Sequence, residues 1–258
     1  MKILIIALLF IFFIFLNFEV YGLKLTDYII ETSEDSYVVT DLNDPHDFRG
    51  LHQMNFGKKP FLKTWFSWNA TESSEKVNTI SYLKFDLSNI DPSKIHTVTL
   101  EIPIQNISFN STNTIRAISV YSVDSNDWTE TEITYENRPA LDEFISNSWI
   151  DNTATISKWV ITDYVVETAG SEITLAIELS DMYMNMDESV YYYSKNSEDP
   201  SLIPYIKVLY YADELDVKTL LPYILTSIII IIGFSIFLLT KRKYLQQPAT
   251  SNKSQDKT

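Results

Sequence analysis

Ile80-Ser81-Tyr82-Leu83-Lys84-Phe85-Asp86-Leu87 carries the pattern on which the fold class turns. On an extended chain, successive side chains take opposite faces, so Leu83, Phe85 and Leu87 point one way while Lys84 and Asp86 point the other. The same period recurs twice. Val98, Leu100, Ile102 and Ile104 alternate with Thr99, Glu101 and Pro103, and Ile173, Leu175, Ile177 and Leu179 alternate with Thr174, Ala176 and Glu178. Each is a strand with one buried face. Lys84 and Asp86 then share an outward face, where a pair of opposite charges contributes little.

Outward from these three runs, β-rich stretches occupy residues 36–40, 61–68, 115–123, 132–135, 189–193 and 205–211. Turn clusters separate them, such as Ser88-Asn89-Ile90-Asp91-Pro92 and Asp124-Ser125-Asn126-Asp127. Nine or ten short strands at this spacing predict an all-β fold, an antiparallel two-sheet β-sandwich of jelly-roll-like type. One short helix is expected over residues 162–169, stopped by Gly170 in the left-handed conformation. No internal repeat or long linker interrupts residues 23–211, so they read as one domain.

Two apolar runs flank it. Residues 3–16 follow Lys2 and are too short to span a bilayer; they suit a signal-peptide core, with Val20 and Gly22 placed for cleavage after residue 22. An uncleaved N-terminal anchor is the other reading. Residues 219–240 carry no charge and are long enough to cross the hydrocarbon layer as a transmembrane helix. Lys241, Arg242 and Lys243 follow at once, which predicts a cytoplasmic tail over residues 241–258 and a single-pass cell-membrane protein with its domain outside. Residues 212–218 form a short stem.

Composition narrows the function classes. The chain of 258 residues has a formal net charge of −14 and no Cys. Disulfide frameworks, zinc–thiolate sites and thiol nucleophiles are thereby excluded. Five Gly residues and no G-x-G-x-x-G or P-loop string leave no phosphate cradle. Thirty-two of the 34 acidic and 14 of the 20 basic side chains fall in residues 23–219, leaving that segment about −18. Such a field disfavours nucleic acid, and no nucleic-acid partner is expected. The three His form no metalloprotease pair and no G-x-S-x-G elbow occurs, so an enzyme is not expected.

Candidate ligand residues remain. Trp65, Trp68, Trp128 and Trp149 are either packing residues or platforms for the apolar faces of sugars. Trp65 and Trp68 are three apart and so belong to opposite faces of one strand. Arg116, Arg138 and Lys195 are cations for carboxylated sugars, or members of buried ion pairs. Asp41, Asp44 and Asp47 lie in a run rich in hard oxygen ligands, which reads as a Ca²⁺ loop or a solvated acidic loop; no other cofactor is expected. Asn69, Asn106 and Asn110 each open an N-x-Ser/Thr sequon for glycosylation.

The order of short motifs along the outer segment resembles a known family. Asp35-Ser36-Tyr37-Val38, Asn55-Phe56-Gly57, Ser81-Tyr82-Leu83-Lys84-Phe85-Asp86-Leu87-Ser88, Asp127-Trp128-Thr129-Glu130, Ile133-Thr134-Tyr135-Glu136-Asn137-Arg138-Pro139, Trp159, Tyr193-Ser194-Lys195 and Pro204-Tyr205-Ile206-Lys207 follow one another over about residues 33–211. This is similar to the DNRLRE-type domain, carbohydrate-binding module family ninety-six. The chain departs from the family pattern at Asn196, at Val160 and in residues 41–53. The resemblance implies a jelly-roll sandwich on a secreted or surface protein; some members bind acidic polysaccharide such as alginate. The resulting expectation is a non-catalytic surface module that binds carbohydrate or mediates adhesion. An envelope spacer acting through protein contacts is the first alternative, and a membrane-anchored polysaccharide hydrolase the second.

Overall fold

The structure, a computed structural model, describes residues 25–41, 50–68, 76–111, 114–180, 186–211 and 217–244. It divides into two units: Leu25–Tyr211, and the two ends of the chain, Met1–Lys24 with Ala212–Thr258. The expected signal segment and the tail beyond residue 244 lie outside the described residues.

The first unit holds eleven strands among the described residues: β1 (Thr26–Glu31), β2 (Glu34–Asp41), β3 (Phe61–Trp68), β4 (Lys76–Asp86), β5 (Ile95–Ser108), β6 (Arg116–Val123), β7 (Leu141–Ile150), β8 (Ile156–Val160), β9 (Glu172–Leu179), β10 (Met186–Tyr193) and β11 (Tyr205–Tyr210). All described pairings are antiparallel. One layer runs β2-β4-β9-β6-β7, and the other β3-β10-β5-β11-β1, with β8 on the far edge of β5.

The two layers are one curled sheet. Near Trp65–Trp68, β3 pairs with the N-terminal half of β4, while Ser81–Asp86 of β4 pair with β9 on the same edge. At the branch, β3 lifts away from β4, and the Ser81 hydroxyl donates to Lys63 O (2.8 Å) and accepts from Lys63 N–H (3.1 Å). A side chain replaces the ladder bonds that the fold opens there and pairs both backbone groups of Lys63. The opposite seam uses the same device: Lys158 N–H of β8 donates to the Ser148 hydroxyl of β7 at 3.0 Å.

The main core fills the space between the layers. Leu83 and Phe85 of β4, Leu175 and Ile177 of β9, Ile118 and Val120 of β6, Leu100 of β5, Val208 of β11 and Trp159 of β8 are all fully buried there. Trp159 donates its indole N–H to Ile118 O at 2.7 Å, so its large apolar area is buried without stranding a donor. Helix α1 (Thr162–Thr168) contributes Val165 to this core and ends before Gly170, whose φ of +88° is the left-handed stop.

Two strand-level expectations are corrected. Residues 132–135 form turns rather than a strand, with Asn137 Oδ1 accepting from Thr134 N–H at 2.7 Å. Three strands, β1, β7 and β8, lie outside the expected runs; in β7 the register shifts against Val120–Val123 of β6 break the period of two.

The second unit contains α2 (Val217–Tyr244), 28 residues long. Its Leu225–Arg242 segment is long and apolar enough to cross a membrane. Ile229, Ile230, Phe234 and Phe237 are exposed, so the described side chains of α2 form no buried apolar stripe of the kind a globular core helix carries.

Candidate functional site

The outer face of the layer β2-β4-β9-β6-β7 alternates with the core-facing residues. Register alone brings polar side chains from three strands into one row. Asn147 of β7 lies opposite Ser119 of β6, and Ser119 lies opposite Glu178 of β9. The Ser119 hydroxyl donates to Asn147 Oδ1 at 2.7 Å and also contacts the Ser180 hydroxyl. Asn78 of β4 extends the row by donating Nδ2 to Glu178 Oε2 at 3.4 Å. Its Oδ1 is buried and has no hydrogen-bond partner among the described residues. Burial holds the Glu178 carboxyl above its ordinary range, against hydrogen bonds from Asn78 and Tyr121 and the attraction of Arg138.

Trp149 stands beside this row, opposite the small Ala117, and is 65 % exposed. Its indole N–H makes no hydrogen bond among the described residues. Phe144, also exposed, meets Tyr121 edge-on at 5.8 Å between ring centres. The strip thus couples a free aromatic plane to side-chain amide, carboxylate and hydroxyl groups. Such groups together can stack on an apolar ring face and hydrogen-bond to hydroxyls at a ring edge.

Residues 124–140 cover the rest of this face. Trp128 packs with Val38, Ile80, Tyr82, Ile133 and Ala176 and donates its N–H to Thr174 Oγ1 at 2.9 Å. The cover explains why Lys84, outward by alternation, is buried. Its ammonium donates to Trp128 O at 2.6 Å, lies 4.9 Å from the Trp128 ring centre and contacts Glu34 and Glu172 at 3.8 and 3.6 Å. Asp86 instead accepts from Ser88 N–H, so the pair expected between Lys84 and Asp86 gives way to these contacts. Arg138 lies on the rim of the cover, with its guanidinium 3.6 Å from the Tyr135 ring centre and one N–H on Tyr135 O.

The motif residues of the sequence meet beneath this cover. Asn55 Nδ2 donates to Glu130 O and Ile133 O, both at 2.7 Å, and Glu130 N–H donates to Glu34 Oε2 at 2.7 Å. Lys195 contacts Glu130 Oε2 at 2.6 Å and donates to Ser33 O through Nζ and to Asp35 Oδ2 through its backbone N–H. Lys195 is thereby a fastener between β2, the cover and the chain after β10, and it stands apart from the outer strip.

Asp35 is the strained member of this cluster. Its Oδ1 is buried without a hydrogen-bond partner among the described residues. Burial pushes its carboxyl from 3.8 up to about 7, opposed by the Lys195 N–H, with Glu130 repelling and Lys195 attracting the charge. The folded form therefore binds a proton that the unfolded chain releases near pH 4. Stability is greatest below that pH for this group and falls as pH rises toward 7. The expected loss between pH 5 and 7 is on the order of 2 kcal/mol. Asp35→Asn, whose amide oxygen still accepts from Lys195, is expected to flatten that slope. Urea denaturation at pH 5, 6, 7 and 8 reads it, and equal slopes in the two proteins would count against the assignment.

The remaining predicted residues lie elsewhere. Trp65 and Trp68 take opposite faces of β3: Trp68 packs on the main core, and Trp65 on a smaller cluster with Tyr37, Val39 and Val77. Trp65 donates its N–H to Asp187 Oδ1 at 2.8 Å, and the Lys63 ammonium lies 3.8 Å from its ring centre, so one ring face and the donor are engaged. Arg116 binds the buried Glu188 of β10 through both Nε and Nη2. Asn106 and Asn110 are exposed. The Asn69 sequon, Asp44, Asp47 and the Asp41 side chain lie outside the described residues. Among the described residues, no group of three or more His, Asp or Glu is placed to hold a metal ion.

Sequence reasoning singled out Trp149 and Arg138 but passed over Asn147, Ser119, Glu178 and Asn78. Each occupies an ordinary outward position in its own strand, and only cross-strand register assembles them. Comparison with known proteins bears on the whole unit. No curated protein matches the chain. The profile of carbohydrate-binding module family 96 matches residues 30–205, which takes in every strand from β2 to β10 together with the cover and its fasteners. The chain therefore belongs to carbohydrate-binding module family 96.

Proposed function

We propose that this protein is a non-catalytic carbohydrate-binding or adhesive module, held at a cell membrane by α2 with its β-unit outside, and that sugar lies on the outer strip beside Trp149. The single observation that carries the reading is the exposed Trp149, whose indole N–H has no partner among the described residues, next to the Asn147–Ser119–Glu178 row. Family membership supports the ligand class, and the apolar length of α2 supports the anchor. The signal segment, the stem over residues 212–218 and the inward tail after residue 240 belong to the same proposal.

The test is a glycan array with the Leu25–Tyr211 unit, which holds its own core and should fold alone. Trp149→Ala is expected to weaken binding at least tenfold, about 1.4 kcal/mol. Because the ring is exposed, stability should change by no more than about 0.5 kcal/mol. Silence across all sugars, with protein partners captured by crosslinking on cells, would replace this reading with that of an envelope spacer.

A further inference from the structure

We infer that the outer strip takes a neutral, hydroxyl-bearing polysaccharide and discriminates against polyuronates, with Glu178 as the discriminating residue. The inference rests on the carbohydrate reading of the strip and goes beyond it by fixing the charge class of the ligand.

The hydrogen-bonding inventory of the strip is the first argument. Its accessible acceptor is the Glu178 carboxylate, which accepts from Asn78 and Tyr121 and keeps lone pairs for a further donor, whereas Asn78 Oδ1 is buried beneath the strip. The open donors are the Asn147 amide, whose oxygen is already held by Ser119, and the Trp149 indole N–H. A sugar hydroxyl both donates and accepts, so it satisfies either kind of position. A uronate carboxylate only accepts, so it brings no donor to the remaining lone pairs of Glu178. A ligand group that displaces water from Glu178 without donating to it leaves the carboxylate less well satisfied, and a second carboxylate beside Glu178 adds like-charge repulsion.

The placement of cations is the second argument. A polyuronate needs uncompensated positive charge along its track. Arg138 is the cation whose field reaches Glu178, and it already lies on Tyr135 with an N–H on Tyr135 O. Its charge and that of Glu178 offset each other, so the strip offers no net positive patch. The other cations considered for carboxylated sugars are committed to carboxylates, Arg116 to Glu188 and Lys195 to Glu130. Around them residues 23–219 carry a charge of about −18, which slows the approach of a polyanion at low salt. A neutral chain meets none of these penalties.

The experiment uses the full chain in nanodiscs of uncharged-headgroup lipid. The probes are neutral glucans, mannans and galactans against polygalacturonate and polymannuronate, each at low and high salt and with and without Ca²⁺. The expected result is that at least one neutral polymer binds at least tenfold tighter than either polyuronate at low salt. Trp149→Ala should abolish that binding. Glu178→Gln should narrow the gap to the polyuronates at least fivefold, because it removes the charge and supplies an N–H donor. Polyuronate binding as tight as neutral binding, and lost in Trp149→Ala, would overturn the ligand class and leave the carbohydrate site standing. Neutral binding that neither variant alters would overturn the strip as the site. Binding to none of the probes would overturn the carbohydrate reading itself, and this inference with it.

Discussion

Gly57→Ala is expected to cost about 4 kcal/mol or more, beyond the ordinary overpacking penalty of about 1–3 kcal/mol. A Cβ at residue 57 would sit 1.9 Å from the carbonyl oxygen of Glu130 and 2.6 Å from its carbonyl carbon. Neither contact is with the end of a flexible side chain. Glu130 O cannot retreat cheaply because Asn55 Nδ2 holds it at 2.7 Å, and Glu130 N–H is fixed on Glu34. Residue 57 is equally constrained: its N–H donates to Asn55 Oδ1 and its carbonyl accepts from Asn196 Nδ2 at 2.8 Å. Relief must therefore come from moving the cover, which drags Trp128 out of its cluster and exposes Lys84. Urea denaturation of the Leu25–Tyr211 unit, with tryptophan emission as the readout, should show a midpoint shift with little change in slope. A loss below about 1 kcal/mol would mean that the cover does not press on residue 57 as the structure shows.

This junction also shows what the sequence reveals and what it withholds. The core strands are legible because burial on one face imposes a period of two: Leu83, Phe85, Leu175 and Ile177 declare their direction residue by residue. Lys84 follows the same alternation and yet is buried, because the face it points to is roofed by residues 124–140, some 40 positions along the chain. Local periodicity reports which side a residue takes, and does not report what lies over that side. The polar strip has the same character. Asn147, Ser119, Glu178 and Asn78 are separate outward positions in four strands, and their juxtaposition is set by register between segments far apart in sequence. Trp149 was legible as a large aromatic residue; its exposure follows from facing Ala117 on an edge strand rather than a second layer. The motifs were legible as an ordered set, and the structure gives their common cause: Asn55, Gly57, Glu130 and Lys195 clamp one cover to one sheet.

Arg116→Ala is expected to destabilise the protein by about 3–5 kcal/mol. The Glu188 side chain is 0 % exposed, and the Arg116 side chain, at 20 %, stands between that carboxylate and solvent. Glu188 Oε1 accepts from Arg116 Nη2 at 2.9 Å and from Asn110 N–H at 3.1 Å, and Oε2 accepts from Arg116 Nε. Removing the guanidinium strands a carboxylate with one backbone donor in a site that water reaches poorly. The loss is then the cost of an uncompensated buried charge rather than the net worth of the pair, because forming the pair already required desolvating both ions. The two causes separate in the double variant Arg116→Met/Glu188→Gln. It removes both charges, keeps most of the volume and leaves an amide oxygen for the Asn110 N–H. It should recover at least half of the single variant's loss in the same urea experiment. If the single variant loses less than about 1 kcal/mol, the pair behaves as an exposed one, and β10 is not held against β6 in the way described. If the double variant is no more stable than the single, Arg116 contributes through packing of its aliphatic stem, and neutralising Glu188 brings nothing back.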